Sequence, residues 1–341
     1  MKLLIRLIVL QIKIKTLLLI KFLILINFTV TASQKSDGIS SEIYDLNLLM
    51  NKNLELKKNG KPVIANKWMV VTANKKASEA AARVLHSGGN AIDAMITAQL
   101  VLGLVEPESS GLGGGAFLVY YEKKTKKLTT LDGRETAPLE VKPDHFLDNK
   151  GNPLTFFEAV VGGKSVGVPG TPALLEKAHQ KWGKKKWKEL FKDAIQLAEN
   201  GFPVSQKLSS SIKKNRKSLK KYKTTQNYFL PLGKGLEYGN MKTNADYANT
   251  LKLFSRYGSD VFYSGTIGED IISTVRNVKD NPGKLSKIDL LNYEVKERNP
   301  PFVINLDPKL LSIVEVIESA LPYSSTIDMW VVDGNSSELA Y

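Results

Sequence analysis

Gly103-Leu-Val-Glu-Pro-Glu-Ser-Ser-Gly-Leu-Gly-Gly-Gly-Ala-Phe117 is the stretch that decides how the chain is read. It joins a long apolar helical pattern to a run of strand-forming residues. Four of its last seven residues are glycine. Glycine lacks Cβ, so the backbone can turn through positive φ and other segments can approach it closely. A phosphate cradle is excluded on two grounds. The pattern GxxxxGK[ST] is missing, and the glycines precede a strand instead of a helix N-terminus whose amides would face an anion.

Working outward, Met69–Thr72 is a short apolar run that reads as a buried strand. Ala77–Ser87 is rich in strong helix formers, and Gly88-Gly89 stops it. Asn90 then caps a helix from Ala91 to about Leu104 that is apolar nearly all round and therefore central to the core. On the other side, Ala116–Tyr121 and Leu128–Leu131 read as a hairpin across the polar turn Glu122–Lys127. Residues 139–163 read as irregular. Thr171-Pro172 starts a helix with proline in its first turn. Residues 174–182, 187–200 and 206–221 read as successive amphipathic helices. Residues 243–257, 266–278 and 287–292 complete a helical half, and no internal repeat is visible.

The order of these motifs carries a family resemblance. Met69-Val-Val-Thr-Ala-Asn74, Ala77-Ser-Glu-Ala-Ala-Ala-Arg-Val-Leu85, Gly88-Gly-Asn-Ala-Ile-Asp-Ala94 and Leu100-Val-Leu-Gly-Leu-Val-Glu-Pro107 precede the Gly-rich stretch. Leu131-Asp-Gly-Arg-Glu-Thr-Ala-Pro138 follows it. Together, from about Lys61 to about Pro300, they resemble the large subunit of γ-glutamyltranspeptidase, an N-terminal-nucleophile hydrolase. The resemblance implies an α/β fold: the large-subunit part of an αββα sandwich with a helical lobe, incomplete because strands from a small subunit finish the sheets. It also implies a γ-glutamyltransferase and glutathione hydrolase activity, with glutathione and related γ-glutamyl compounds as substrates. Cephalosporin acylases share the fold, so the acyl group could differ. A non-catalytic remnant or binding protein on the same scaffold is the alternative from another class.

Arg134 is the leading functional residue. In the resembling family the arginine of Asp-x-Arg-Glu-x-Ala-Pro binds the α-carboxylate of the γ-glutamyl group, and Asp132–Pro138 matches that motif. A guanidinium is a rigid fork of donors suited to a carboxylate. A structural salt bridge with Asp132 or Glu135 is the other reading. The family's nucleophile is a threonine freed by self-cleavage of the proenzyme, whose own α-amino group acts as base. It opens a Thr-Thr-His-x-Ser-Val-Val-Asp-like junction in the small subunit. Here the sequence past Pro300 departs from the family. Thr326-Ile-Asp-Met-Trp-Val-Val-Asp333-Gly-Asn335 echoes the junction only in part: Ile327-Asp328 replaces Thr-His and Trp330 replaces serine. By that partial echo Thr326 is the position the resemblance would make the nucleophile. The chain by itself is expected to be silent unless a separate small-subunit chain is supplied.

The remaining expectations come from composition. The formal charge is +14, with 43% hydrophobic and 24% charged residues. Residues 1–32 hold five cations and no acid, then an apolar run from Phe22. They read as a secretory signal peptide, cleaved after Ala32, so the protein is expected to be secreted or periplasmic with no stable membrane insertion. Residues 33–60 read as polar and loosely ordered, 61–300 as the family domain, and 301–341 as an aberrant tail. Lys207, Lys213, Lys214, Arg216, Lys217, Lys220, Lys221 and Lys223 form an acid-free cluster. An anionic partner, nucleic acid or a membrane surface, would suit it. A solvated helix face is the plainer reading, and without a nucleic-acid motif no nucleic-acid partner is expected. The chain has no cysteine, and His86, His145 and His179 lack ligand spacing, so neither metal nor other cofactor is expected.

Overall fold

Asn90 sets the centre of the molecule. In a computed structural model of the chain, which describes residues 46, 48–65, 67–299, 329–333 and 338–340, its side chain accepts from the Asp93 amide while the Asp93 carboxylate accepts from the Asn90 amide, both at 3.0 Å. This capping box starts a helix, Ala91–Val105, whose residues are nearly all buried. Fully buried Ile92, Ile96 and Leu100 contribute roughly 1.5–3 kcal/mol each by leaving water. Asp93 itself is fully buried, and it also accepts from the amides of Lys184 and Lys185, both at 3.0 Å.

The chain divides into two units, residues 1–64 and 65–341. In the first, residues 48–58 form a helix (α1) within the segment expected to be loosely ordered. The second runs β1 (Trp68–Thr72), α2 (Lys75–His86), α3 (Ala91–Val105), β2 (Ala116–Glu122), β3 (Lys127–Gly133), α4 (Phe156–Val160), α5 (Thr171–Trp182) and α6 (Lys192–Asn200). It continues with β4 (Phe202–Pro203), α7 (Gln206–Lys214), α8 (Arg216–Leu219), α9 (Lys223–Phe229), β5 (Met241–Lys242) and α10 (Ala245–Tyr257). Then come α11 (Asp260–Tyr263), α12 (Thr266–Arg276), α13 (Lys287–Leu291), β6 (Lys296–Arg298), β7 (Met329–Asp333) and β8 (Glu338–Ala340).

Six strands form one antiparallel sheet in the order β1-β7-β8-β2-β3-β6. Along the β2–β3 hairpin the side chains alternate. Leu118, Tyr120 and Leu131 are buried under the helices, while Phe117 on the opposite face stays exposed. Helices α2 and α3 pack as a pair on the β1 side, and α5 packs on the hairpin. The helical layer on one sheet is the expected α/β arrangement in its incomplete form.

Helix α2 ends as glycine chemistry dictates. Gly88 takes φ +86°, the Gly89 amide reaches the Val84 carbonyl and the Gly88 amide reaches that of Leu85. His86 lies in the last turn, where a cation suits the helix dipole. At the far end of α3, the buried Glu106 accepts from Asn74 Nδ2 at 2.7 Å, and Lys207 Nζ stands 3.8 Å from its other oxygen. That contact ties the start of α2, the end of α3 and the helical lobe together.

Several local expectations are corrected. β1 is an edge strand and only half-buried, because helices cover one face and Val71 points away from them. The span 187–200 is not one helix: Trp187–Phe191 is a 3-10 turn that buries Leu190 and Phe191 before α6 begins. The span 206–221 breaks at Asn215, and residues 156–160 make one helical turn in a region read as irregular. His145, read as a polar loop residue, is buried with its Nε2 2.8 Å from the Lys164 carbonyl oxygen.

Candidate functional site

Arg134 leaves the end of β3 where β2 begins, since Gly133 pairs with Ala116. The Gly-rich stretch folds against this corner. None of Gly111, Gly113, Gly114 or Gly115 has positive φ. Close approach is required at one of them, Gly115. A Cβ on Gly115 would stand 2.7 Å from the Gly133 carbonyl oxygen and 2.8 Å from Arg134 Cα. The Gly114 carbonyl accepts from the amides of Gly170 and Thr171 at 2.8 and 3.0 Å, so the first residues of α5 clamp the loop. Gly170 is tighter still: its Cβ would lie 1.8 Å from the Gly133 carbonyl oxygen. Glycines 115, 133 and 170 thus let three backbone segments meet beside Arg134.

The guanidinium is half-exposed and already aimed. Nη1 donates to the Gly115 carbonyl at 3.2 Å, Nη2 pairs with Glu135 at 3.1 Å, and the group sits 5.8 Å over the Phe117 ring. The Arg134 amide donates to Asp132 at 3.0 Å, and Arg298 Nε donates to the other Asp132 oxygen at 2.7 Å. Partial desolvation pushes the Asp132 carboxyl up, but the Arg134 amide and Arg298 outweigh it and hold it below the usual carboxylate range. Tyr293 donates its hydroxyl to the Arg134 carbonyl at 2.9 Å and stacks on Tyr263. Burial, helped by the nearby Asp132 and Glu135 carboxylates, pushes that phenol up to about 12, so it stays a donor at neutral pH. Asp132 and Glu135 therefore both contact Arg134, one through the main chain and one through the side chain. A guanidinium has five N–H donors, and on this half-exposed side chain those beyond the two contacts are open to a carboxylate.

Tyr293 and Gly170 were not legible as site residues, because they reach Arg134 from far along the chain. Thr326 lies outside the described residues, as do residues 1–32. The strand register still orders the sheet ends. Met329, the first residue of β7, pairs with Thr72, and β7 runs antiparallel to β8, which runs antiparallel to β2. β7 therefore starts at the end of the sheet where β2 starts and β3 ends. β7 and β3 are three strand spacings apart, roughly 14 Å. Among the described residues no cluster of His, Asp and Glu could hold a metal ion, and no helix is long and apolar enough to cross a membrane.

Residues 77–331 match the family described as Gamma-glutamyltranspeptidase. The chain is 41% identical over 232 residues to the glutathione hydrolase proenzyme of Bacillus subtilis strain 168, covering 68% of this chain and 39% of that protein. It therefore spans about two fifths of that relative's length. The γ-glutamyltranspeptidase structure from Helicobacter pylori superposes with a TM-score of 0.66 at 34% identity, over 70% of this chain and 68% of the other. A cephalosporin acylase from Bacillus halodurans shares the fold at a TM-score of 0.60 and 26% identity, over 70% of this chain and 45% of its own. With the Asp132–Pro138 motif in place at the strand end and the match spanning most of the sequence, the chain belongs to the γ-glutamyltranspeptidase family.

Proposed function

We propose that residues 61–300 form the γ-glutamyl-recognising half of a γ-glutamyltransferase and glutathione hydrolase, with Arg134 as the residue that binds the α-carboxylate of the donor. The observation that carries this reading is the guanidinium held by Gly115 and Glu135 at the sheet end with donors left over. A free α-carboxylate leaving water for a partly closed corner needs a charge partner with matching donors. Arg134 offers both, and its frame is built before ligand arrives, which lowers the cost of binding. Glutathione and other γ-glutamyl compounds present such a carboxylate remote from the bond to be cut. An acylase reading would leave this pre-aimed guanidinium without a reason, so it is the weaker one.

Thr326 stands three residues before Met329, a reach of at most about 10 Å, and β7 starts at the same sheet end as Arg134. A nucleophile entering there would face the donor bound by Arg134. The substitutions around Thr326 remove the neighbouring threonine, histidine and serine of the family junction, so hydroxyls that would support an oxyanion are gone. We therefore assign turnover to an assembly with a small-subunit chain carrying an intact junction, and export of the protein to the basic, apolar segment 1–32. The test is γ-glutamyl-p-nitroanilide hydrolysis by the purified chain with and without such a small subunit. Turnover only in the mixture, with KM raised in Arg134→Lys, supports the assignment. Turnover by the chain alone that disappears in Thr326→Ala would show that the tail itself works as nucleophile. No turnover in any mixture, with γ-glutamyl ligand still bound, would favour the binding protein.

A further inference from the structure

The helical lobe formed by α7, α8 and α9 concentrates charge in a way the recognition of a donor does not use. From Asn200 to Leu236 the chain has nine Lys and Arg and no Asp or Glu. Lys213, Lys214, Arg216, Lys217, Lys220, Lys221 and Lys223 are all exposed. Among the described residues, the only carboxylates reached from this cluster are Glu106, 3.8 Å from Lys207, and Asp280, 4.0 Å from Lys221. The helical ladder continues through the kink, because the Asn215 amide donates to Ser211 and the Leu219 amide to Asn215. Lys213, Lys217 and Lys220 therefore recur at i, i+4 and i+7 along one row. Leu208 and Ile212 bury the opposite side of α7.

The same lobe carries one apolar residue, in the turn that Arg216 holds, that folding does not explain. Leu232 is fully exposed and sits at φ +52°, ψ +27°. A leucine is strained there, and Gly233 beside it shows that glycine is available to the same turn. The turn is held to the basic helix by Arg216, whose guanidinium donates to the Gly233 carbonyl. The Gly233 and Lys234 amides close it onto Leu230 and Pro231 at 2.9 and 3.0 Å. A strained, solvent-facing leucine on a turn held to a basic helix by Arg216 matches the needs of a bilayer surface. Lysines meet anionic headgroups, and one apolar side chain enters the headgroup–acyl boundary. Nucleic acid would use the cations but not the leucine, and the one aromatic inside the cluster, Tyr222, is half-buried.

We propose that the α7–α9 lobe docks peripherally on membranes rich in anionic lipid, with Lys213, Lys217 and Lys220 on the headgroups and Leu232 inserted beside them. The contact lies on the surface and spans nothing.

The test is sedimentation of the full-length chain with phosphatidylcholine vesicles, with and without phosphatidylglycerol. All variants keep the basic, apolar segment 1–32, so a difference between them reads the lobe. The wild type should partition at least tenfold better onto the anionic vesicles. That gain should fall as salt rises from about 0.1 to about 1 M, where screening shortens from about 10 to about 3 Å. Each lysine lost should cost about fivefold, so Lys213→Gln/Lys217→Gln/Lys220→Gln should lose about 100-fold. Leu232→Gly should lose roughly tenfold while melting no lower than wild type, since it relieves the strained φ. Equal partitioning of the triple variant and the wild type overturns the proposal. So does an unchanged Leu232→Gly, because attraction of charge alone would not place the leucine. Binding of a single-stranded oligonucleotide that the triple variant loses, with no vesicle binding by the wild type, would make the lobe a nucleic-acid surface and also overturn it.

Discussion

Arg134 and the lobe cations are the same kind of charge in opposite settings. Arg134 is gripped by a carbonyl, a carboxylate and an aromatic face, and its own main chain is pinned by Asp132 and Tyr293. Lys213, Lys217 and Lys220 are exposed, and no described residue pairs with their heads. A gripped guanidinium has lost its rotamer freedom before a ligand arrives and can select one carboxylate geometry. Free ammoniums attract any dense anionic surface and select none. The backbone decides which setting a cation receives. Around Arg134 three glycines, 115, 133 and 170, let three segments touch, whereas α7 and α8 present only a helix exterior.

That contrast can be broken most violently at the glycines. Gly170→Ala would force a Cβ into the Gly133 carbonyl, with the Tyr293 hydroxyl 2.3 Å away on the other side. The expected cost is about 3 kcal/mol or more, read as a collapse of the melting temperature. Gly113→Ala is the control. Nothing lies within 4 Å of its Cβ and its φ is ordinary, so it should melt within about 0.5 kcal/mol of wild type. Equal effects of the two would mean that the corner is not packed as described.

Next in size is Asp93→Asn. The buried carboxylate accepts from three amides, those of Asn90, Lys184 and Lys185. An amide side chain must turn an NH2 toward at least one of them, so denaturant unfolding should show a loss of about 2 kcal/mol. Lys217→Gln, out in the lobe, should show none.

Tyr293→Phe is smaller and sharper. It removes one hydrogen bond to the Arg134 carbonyl while keeping the ring against Tyr263. A loss near 1 kcal/mol in stability is expected, together with weaker binding of γ-glutamyl ligand. Stability lost with binding intact would separate Tyr293 from the site.

The smallest effect is a pH dependence at the start of the Gly-rich stretch. Partial burial first, and then the Glu106 carboxylate beside it, push the Glu108 carboxyl from 4.5 up to about 7, with Lys207 opposing. A raised carboxyl favours the protonated folded state. The stability it contributes is therefore full below about pH 4.5 and is lost as pH rises through about 7. Glu108 remains solvent-exposed as a residue, so screening keeps the effect under about 1 kcal/mol. Melting curves across that window should flatten in Glu108→Gln. A wild-type curve that rises with pH there would contradict the assignment.

The legible parts of the fold are those whose causes are local. Asn90 and Asp93 are three residues apart, so the capping box and the all-apolar α3 behind it stand in the sequence, as does the hairpin with its lysine turn. Gly88 as a left-handed stop is equally local. The misread parts depend on distant partners. Phe191, at the break, packs edge-on against Phe254 of α10, far along the chain, and Asn215 leaves helical geometry with no local signal that marks it. At the candidate site, Arg134 stood out by its motif. Tyr293, 159 positions on, and the Gly170 contact did not, because neither carries a local signature. The Gly-rich stretch was readable as close approach, but the partners it approaches were not.

The central claim is that the Arg134 corner recognises a γ-glutamyl carboxylate before any chemistry. Titration calorimetry of the chain with glutathione tests it directly, with Arg134→Lys as the comparison. The account predicts a measurable affinity in the wild type that falls about 30-fold or more in Arg134→Lys, because the charge remains but the planar fork is lost. Equal affinities, or no binding by a wild type that melts cooperatively, would contradict it.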